Sequence, residues 1–305
     1  MPLAANEQEA CDNIFQSDRI KSILNHCKHN TFVVFDLDNT LVESTQDLGS
    51  DQWFVKLMEE TCRLLPGKET VELVVAIYYA VQRQVSLKTV EHQTISLITL
   101  LQDLNIPIVV LTARGDKICR TTIEELKRIG IDFSKQWSNM EYLLKLNDGK
   151  SRAFFSNGII FCDGNDKGKC LLSFFQSIKN QPAHVLMVDD KEKHLKSVRA
   201  VIDAYQGKFT GIRYSLLDEK IKKVDMKSAN EQMKKMLHAF PHDVKQALAK
   251  IGLVDYPMTL NSPRLSSAHL QDESKELSVS LPFFREKRKL VRTMSCPELR
   301  KSKGI

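Results

Sequence analysis

Apolar residues in this chain fall either in short unbroken runs or at every third and fourth position of longer segments. The runs at 32–35, 108–111 and 185–188 are each four apolar residues long. Runs of that length, bounded by polar residues, read as strands buried on both faces. A weaker strand is expected at 209–214, and 153–155 and 159–162 flank Asn157-Gly158, a two-residue hairpin signal. Helical spacing occurs at 8–27, with Ile14, Ile20, Ile23 and Leu24 as apolar positions. It recurs after residues 49–54 through Val55, Met58, Cys62 and Leu65, where Pro66-Gly67 breaks it, and then at 71–85 and 89–104. Further helices are predicted from Asp116 to Gly130 and from Lys167 to Ile178, whereas 131–152 show no regular pattern. Strands alternating with helices predict an α/β fold with a Rossmann-like, mostly parallel sheet.

The domain division follows from the same pattern. Residues 1–215 hold every predicted strand. Within them, 44–104 form a helical insertion between the first two strands, placed to act as a cap or lid. Residues 216–257 read as a C-terminal helical extension, with Met233, Met236, Leu237 and Phe240 and a break at Pro241. From 258 to 305 periodicity fails and Ser and Pro accumulate, which predicts a disordered tail.

Charge sharpens that division. The net charge is +6, and residues 285–305 alone contain eight Lys/Arg against two Glu. A neutral body with a basic tail argues against nucleic acid as a partner of the body. The apolar residues 281–284 followed by basic 285–292 allow contact with an anionic membrane, although a solvated tail is the plainer reading. Seven scattered cysteines without a C-x-x-C pair read as reduced thiols of a cytoplasmic protein. Residues 1–16 lack the basic start and apolar run of a secretory signal peptide, and no apolar stretch reaches membrane-spanning length. His26 and His29 read as a solvated helix end rather than a metal pair.

Four places carry chemistry. The first apolar run enters Phe35-Asp36-Leu37-Asp38-Asn39-Thr40-Leu41. Carboxylates beside a core are costly unless paired, and a hard divalent cation such as Mg²⁺ is a natural partner. Asp36 and Asp38, two apart, project to one side of extended backbone, so one could attack an electrophile while the other moves protons. The plainer alternative is a turn in which Asp38 and Asn39 cap backbone groups. The second run ends in Thr112-Ala113-Arg114-Gly115, a hydroxyl and a guanidinium suited to phosphate. Lys167 opens a helix and can reach a phosphate as a point charge, with Lys169 as a competitor. The run at 185–188 ends in Asp189-Asp190. Trp53 and Phe54 could stack on a substrate at the cap's mouth or anchor the cap helices to the core.

In this order the segments FDLDNTL, LTAR, DKGK and VDD resemble the four motifs of the haloacid dehalogenase (HAD) superfamily over residues 31–215. Together with GSDQWF and GIIF they look like a poorly characterised bacterial branch that includes type IV secreted effectors of intracellular pathogens. The resemblance implies an Asp36 nucleophile and an Asp38 acid and base. It implies Mg²⁺ held by Asp36, Asp189 and the backbone carbonyl of Asp38, with Thr112 and Lys167 on the phosphoryl oxygens. Asp190 would either bind metal through water or orient Lys167, because the fourth motif lacks the Gly-Asp-x-x-x-Asp spacing. The second aspartate favours a phosphatase over a dehalogenase. Arg114 and Trp53 join the substrate contacts. The expectation is therefore an Mg²⁺-dependent phosphatase acting on a small phosphate ester or a phosphoprotein, phosphotyrosine included. The alternative is a non-catalytic binding or effector protein targeted to a partner or membrane by its C-terminal region. Location is expected to be cytoplasmic, or in a host cell after secretion without a cleaved signal peptide.

Overall fold

The computed structural model describes residues 13–149 and 151–257. The chain runs β1 (Ile14–Ser17), a 3-10 turn (Ile20–Asn25), β2 (Thr31–Phe35), β3 (Val42–Ser44), α1 (Asp51–Leu64), α2 (Lys68–Gln82) and β4 (Leu87–Thr89). It continues through α3 (Thr94–Asp103), β5 (Ile108–Thr112), α4 (Cys119–Arg128), β6 (Glu141–Lys145), β7 (Arg152–Ser156), β8 (Ile159–Phe161) and α5 (Lys167–Ser177). Then follow β9 (His184–Asp189), α6 (Glu192–Ala204), β10 (Lys208–Tyr214), α7 (Asp218–Ile221), α8 (Met226–Met236) and α9 (His242–Lys250).

Eight strands form one sheet in the order β1-β10-β9-β2-β5-β8-β7-β6. The strands from β1 to β8 are parallel, and β7 and β6 complete an antiparallel meander at the far edge. The four-residue apolar runs are its central strands, and strand alternation splits each run between two cores. Val33, Phe35, Val110 and Val188 pack on one face with α3 and α4, through Leu97, Ile98, Leu101 and Leu126. Phe32, Val34, Leu111 and Met187 pack on the other with α5 and α6, through Phe174, Phe175, Leu195 and Val198. Burial on both faces is why these strands read as unbroken apolar runs. The Asn157-Gly158 hairpin is present, with both residues at positive φ. A side chain at Gly158 would stand 2.7 Å from Phe133 Cβ, so the turn needs glycine for space as well as conformation.

Two segments differ from the pattern reading. The helical spacing at 8–27 does not yield one helix; the described part is the edge strand β1 followed by the 3-10 turn. Pairing with the open edge of β10, from Ile14 opposite Gly211 to Ser17 opposite Tyr214, outweighs helical spacing. The patternless stretch 131–152 contains β6, a mostly exposed edge strand whose single fully buried side chain, Leu144, gives no run to detect.

The insertion leaves and re-enters the sheet layer through a small antiparallel stalk, β3 paired with β4. Only α1 and α2 lie beyond this stalk, and α3 covers the sheet instead. The cap helices share a third core with the C-terminal extension. In it, Trp53, Leu57, Val74 and Ile77 pack with Met233, Phe240, Val244 and Leu248. Cap and extension thus form one helical layer. The expected tail, 258–305, lies outside the described residues. No described helix is long and apolar enough to cross a membrane. None of the five described cysteines forms a disulfide.

Candidate active site

β2 lies between β5 and β9, and the chain reaches those two neighbours in opposite directions across the sheet. Open α/β sheets bind ligands outside the carboxyl ends of strands at such a switch point. Asp36 follows β2, Thr112 ends β5, Asp189 ends β9, and Lys167 opens α5 after β8. The apolar runs therefore deliver the predicted polar residues to one place.

Three carboxylates converge there. Oxygens of Asp36, Asp189 and Asp190 all lie within 4.8 Å of one another, and all three residues are buried. The Lys167 ammonium sits between two of them. It donates to Asp36 Oδ1 and, at 2.8 Å, to Asp189 Oδ2. Thr40 Oγ1 donates to Asp36 Oδ2 at 3.0 Å, made possible by the left-handed backbone of Asn39 that turns the loop. The Lys191 amide donates to Asp189 Oδ1 at 2.8 Å, and His194 Nδ1 lies 3.0 Å from the same oxygen. Asp190 Oδ1 is buried and finds no hydrogen-bond partner among the described residues.

Electrostatics sort the three acids. Burial pushes Asp36 up to about 7, with Lys167 opposing and Asp189 reinforcing. Burial would raise Asp189 too, but the Lys167 charge and the His194 contact hold it well below the usual carboxylate range. Asp190 is raised well above that range by burial, against Lys191 and with the help of Asp36 and Asp189. Lys167 bridges only two of the three acids, and the Lys191 ammonium is paired with Asp51. A hard dication fits this donor set: the ligands are all oxygen, and one of them is an orphaned buried carboxylate oxygen.

Asp38 stands apart from that cluster. Both of its oxygens accept from Arg114, from Nε at 2.9 Å and from Nη2 at 2.8 Å. Arg114 Nη1 donates to Thr122 Oγ1 at 3.1 Å and to Glu125 Oε2 at 3.5 Å, both on α4. Arg114, expected among the substrate contacts, is thus placed against Asp38 and α4. Its buried guanidinium is committed to carboxylates of this chain, which have the same charge and fork geometry as the phosphate it was expected to meet. Thr112 Oγ1 accepts from the Arg114 amide at 3.2 Å, which leaves the hydroxyl hydrogen for a ligand oxygen.

Trp53 is not at the mouth either. It is fully buried in the core shared by the cap and the extension. The cap's half-buried aromatics are Phe54 and Tyr78, with ring centroids 4.6 Å apart. Burial raises the Tyr78 hydroxyl far above its usual pKa, the Arg114 charge opposes this, and Asp38 adds to it. Two more contacts hold the cap to the rim of the site. Tyr79 donates to Asp163 at 3.2 Å, and Lys191 donates to Asp51 at 2.7 Å.

Sequence reasoning missed Thr40, Lys191, His194, Thr122 and Glu125. A signal existed for the last two. Ile118, Thr122, Glu125 and Ile129 recur at helical spacing, so two polar residues occupy the buried stripe of α4.

Relatives are distant. A protein named "Putative outer membrane protein" from Chlamydia trachomatis serovar D is 25% identical over 189 residues, which is 61% of this chain and 69% of that protein. One of the same name from Chlamydia muridarum is 25% identical over 211 residues, 68% of this chain and 78% of its own. A third, from Chlamydia pneumoniae, is 21% identical over 188 residues, 61% of this chain and 70% of its own. No solved structure matches the chain. A family model described as "Protein of unknown function (DUF2608)" matches residues 15–249, from the edge strand β1 into α9, the last helix among the described residues. Sheet, cap and C-terminal helices together are thus one family unit, and the chain belongs to the DUF2608 family of proteins of unknown function.

Proposed function

We propose that this protein is an Mg²⁺-dependent phosphatase of the HAD type that hydrolyses phosphate monoesters through an aspartyl-phosphate at Asp36. The observation that carries this reading is the buried triad of Asp36, Asp189 and Asp190, two of them bridged by Lys167, with an acid–base candidate, Asp38, held separately beside it. Mg²⁺ bound by the triad and the Asp38 carbonyl would supply the positive charge that lets an anionic phosphoryl group approach an anionic nucleophile.

The chain's own residues supply the rest. An Asp36 oxygen attacks phosphorus, the ester P–O bond breaks, and protonated Asp38 gives its proton to the leaving oxygen. Asp38, now a carboxylate, takes a proton from water while the water oxygen attacks phosphorus. Inorganic phosphate leaves and the Asp36 carboxylate is restored. Lys167 and the Thr112 hydroxyl, at the ends of separate elements, hold the equatorial oxygens. The substrate is a phosphorylated small molecule or a phosphoprotein. A screen of metabolite esters and phosphopeptides with and without Mg²⁺ tests the reading; absence of Mg²⁺-dependent release from every ester would refute it. Location is independent of this chemistry. The relatives carry an outer-membrane name, the sequence expectation is the cytoplasm or a host cell, and cell fractionation decides between them.

A further inference from the structure

The geometry points to Arg114 as a positioning residue for Asp38, itself fixed by Thr122 and Glu125 of α4. This inference rests on the phosphatase reading above and assigns Arg114 away from phosphate. Three observations carry it.

The first is that four of the five guanidinium N–H donors are engaged within the chain. Nε and Nη2 form a two-pronged contact with both Asp38 oxygens, at 2.9 and 2.8 Å. Nη1 is taken by Thr122 and Glu125. The Arg114 side chain is 1% exposed, against 22% for Asp38. The carboxylate, and not the guanidinium, is the group that faces incoming substrate.

The second is the origin of the anchors. Asp38 lies in a loop three residues beyond β2, next to the left-handed Asn39, and could rotate about its side-chain bonds. Arg114 follows β5 and is gripped by α4, the helix packed under β5's face through Leu126. The loop acid is thereby tied to a rigid strand–helix step, and a planar fork fixes both the position and the plane of the carboxylate.

The third is Glu125 itself. It is 3% exposed, and its Oε1 has no hydrogen-bond partner among the described residues. A buried carboxylate with one oxygen unsatisfied is costly for stability alone. Holding Arg114 is what it does for the site.

The test compares two esters on the full chain with Mg²⁺. p-Nitrophenyl phosphate has a good leaving group that needs little protonation; glycerol 2-phosphate has a poor one that depends on the acid. Asp38→Asn sets the reference: a kcat loss much larger on glycerol 2-phosphate than on p-nitrophenyl phosphate. Arg114→Gln should reproduce that selectivity, with a loss on the order of 100-fold on the poor leaving group and nearly unchanged KM. Inhibition by inorganic phosphate should also be unchanged. Thr122→Val keeps the shape and the fold, and should give the same selectivity with a loss of about three- to tenfold. A raised KM and weaker phosphate inhibition in Arg114→Gln would make it a phosphate ligand and overturn the inference. Equal losses on both esters in Thr122→Val would make the network merely structural and overturn it as well. If Arg114→Gln fails to fold, Thr122→Val decides alone. Wild-type protein inactive on both esters removes the phosphatase reading and this inference together, whereas active wild type with unselective variants removes only the inference.

Discussion

Mg²⁺ should stabilise the wild-type protein, and replacing Asp190 by Asn should remove most of that gain while leaving the metal-free protein as stable as wild type. Two ionised carboxylates no more than 4.8 Å apart repel by at least about 3.5 kcal/mol at an effective dielectric constant near 20. Without metal the fold favours the neutral acid form of Asp190, whose pKa is raised well above the usual range by burial and by its acidic neighbours. Asn then replaces a neutral acid with a neutral amide of the same shape, and the metal-free change should stay within about 1 kcal/mol. With Mg²⁺ at a hundredfold excess over its dissociation constant, wild type gains about 2.7 kcal/mol. For a domain of this size that is a rise of about 5–10 °C in Tm. If the variant's dissociation constant rises about a hundredfold, its gain falls to about 0.4 kcal/mol, or roughly 1–2 °C. Calorimetric melts in chelator and in Mg²⁺ read both values. The exposed Asp203 on α6 is the control, and its Asn variant should keep the full wild-type shift. A wild-type Mg²⁺ shift retained in Asp190→Asn would refute the assignment of the orphaned oxygen to a metal. A metal-free Tm lowered by more than about 5 °C would show instead that the ionised carboxylate stabilises the fold.

Other regions of the fold give independent expectations. His184 is buried between Thr31 and Thr210, and burial lowers its pKa below 6.5, with Lys208 and Lys28 adding to this. The fold therefore favours the neutral ring, and stability is lost as pH falls through about 6.5 toward the folded pKa, at up to roughly 1.4 kcal/mol per pH unit for the one proton involved. The difference in Tm between wild type and His184→Gln should change in that window; a difference that is flat from pH 7.5 to 5 would refute this. At Gly115 a new Cβ would overlap the Tyr79 hydroxyl, so Gly115→Ala should push the cap's Tyr79 off the rim and cost about 1–3 kcal/mol. Adding Tyr79→Phe should restore part of that loss, and a melt that shows no recovery would argue against the contact. Met233 is fully buried between extension and cap, and Met233→Ala should cost about 2–5 kcal/mol, whereas Leu64→Ala at a 68% exposed position should stay within about 0.5 kcal/mol. Equal melts for the two would mean that cap and extension do not share a core.

The sheet and the carboxylate cluster were legible because both are local anomalies. Central strands buried on two faces are unbroken apolar runs, and a carboxylate at the end of such a run stands out at once, as with Asp36 and Asp189. Edge strands carry no such mark: β1 is hidden inside an apparent helical spacing, and β6 presents a nearly solvated face. Long-range partners were also invisible. Trp53 suits a mouth and a core equally well by sequence, and its core is supplied by Met233 and Phe240 far along the chain. Periodicity predicted α3 but not which surface it covers. At Arg114 the chemistry alone did not choose the partner, because a guanidinium recognises a carboxylate as readily as a phosphate. The telling sign lay elsewhere, in Thr122 and Glu125 on the buried stripe of a helix whose exposed side already had polar residues to spare.

Whether Asp36 accepts the phosphoryl group is read most directly from turnover of p-nitrophenyl phosphate in Mg²⁺ by wild type and by Asp36→Asn, with the melting curve of each recorded alongside. The amide keeps the size and the contact with Thr40 while losing the attacking carboxylate. Mg²⁺-dependent release by wild type is expected, and none above background by the variant, with both proteins folded. Release by a folded Asp36→Asn protein at the wild-type rate would contradict the assignment of Asp36 as nucleophile.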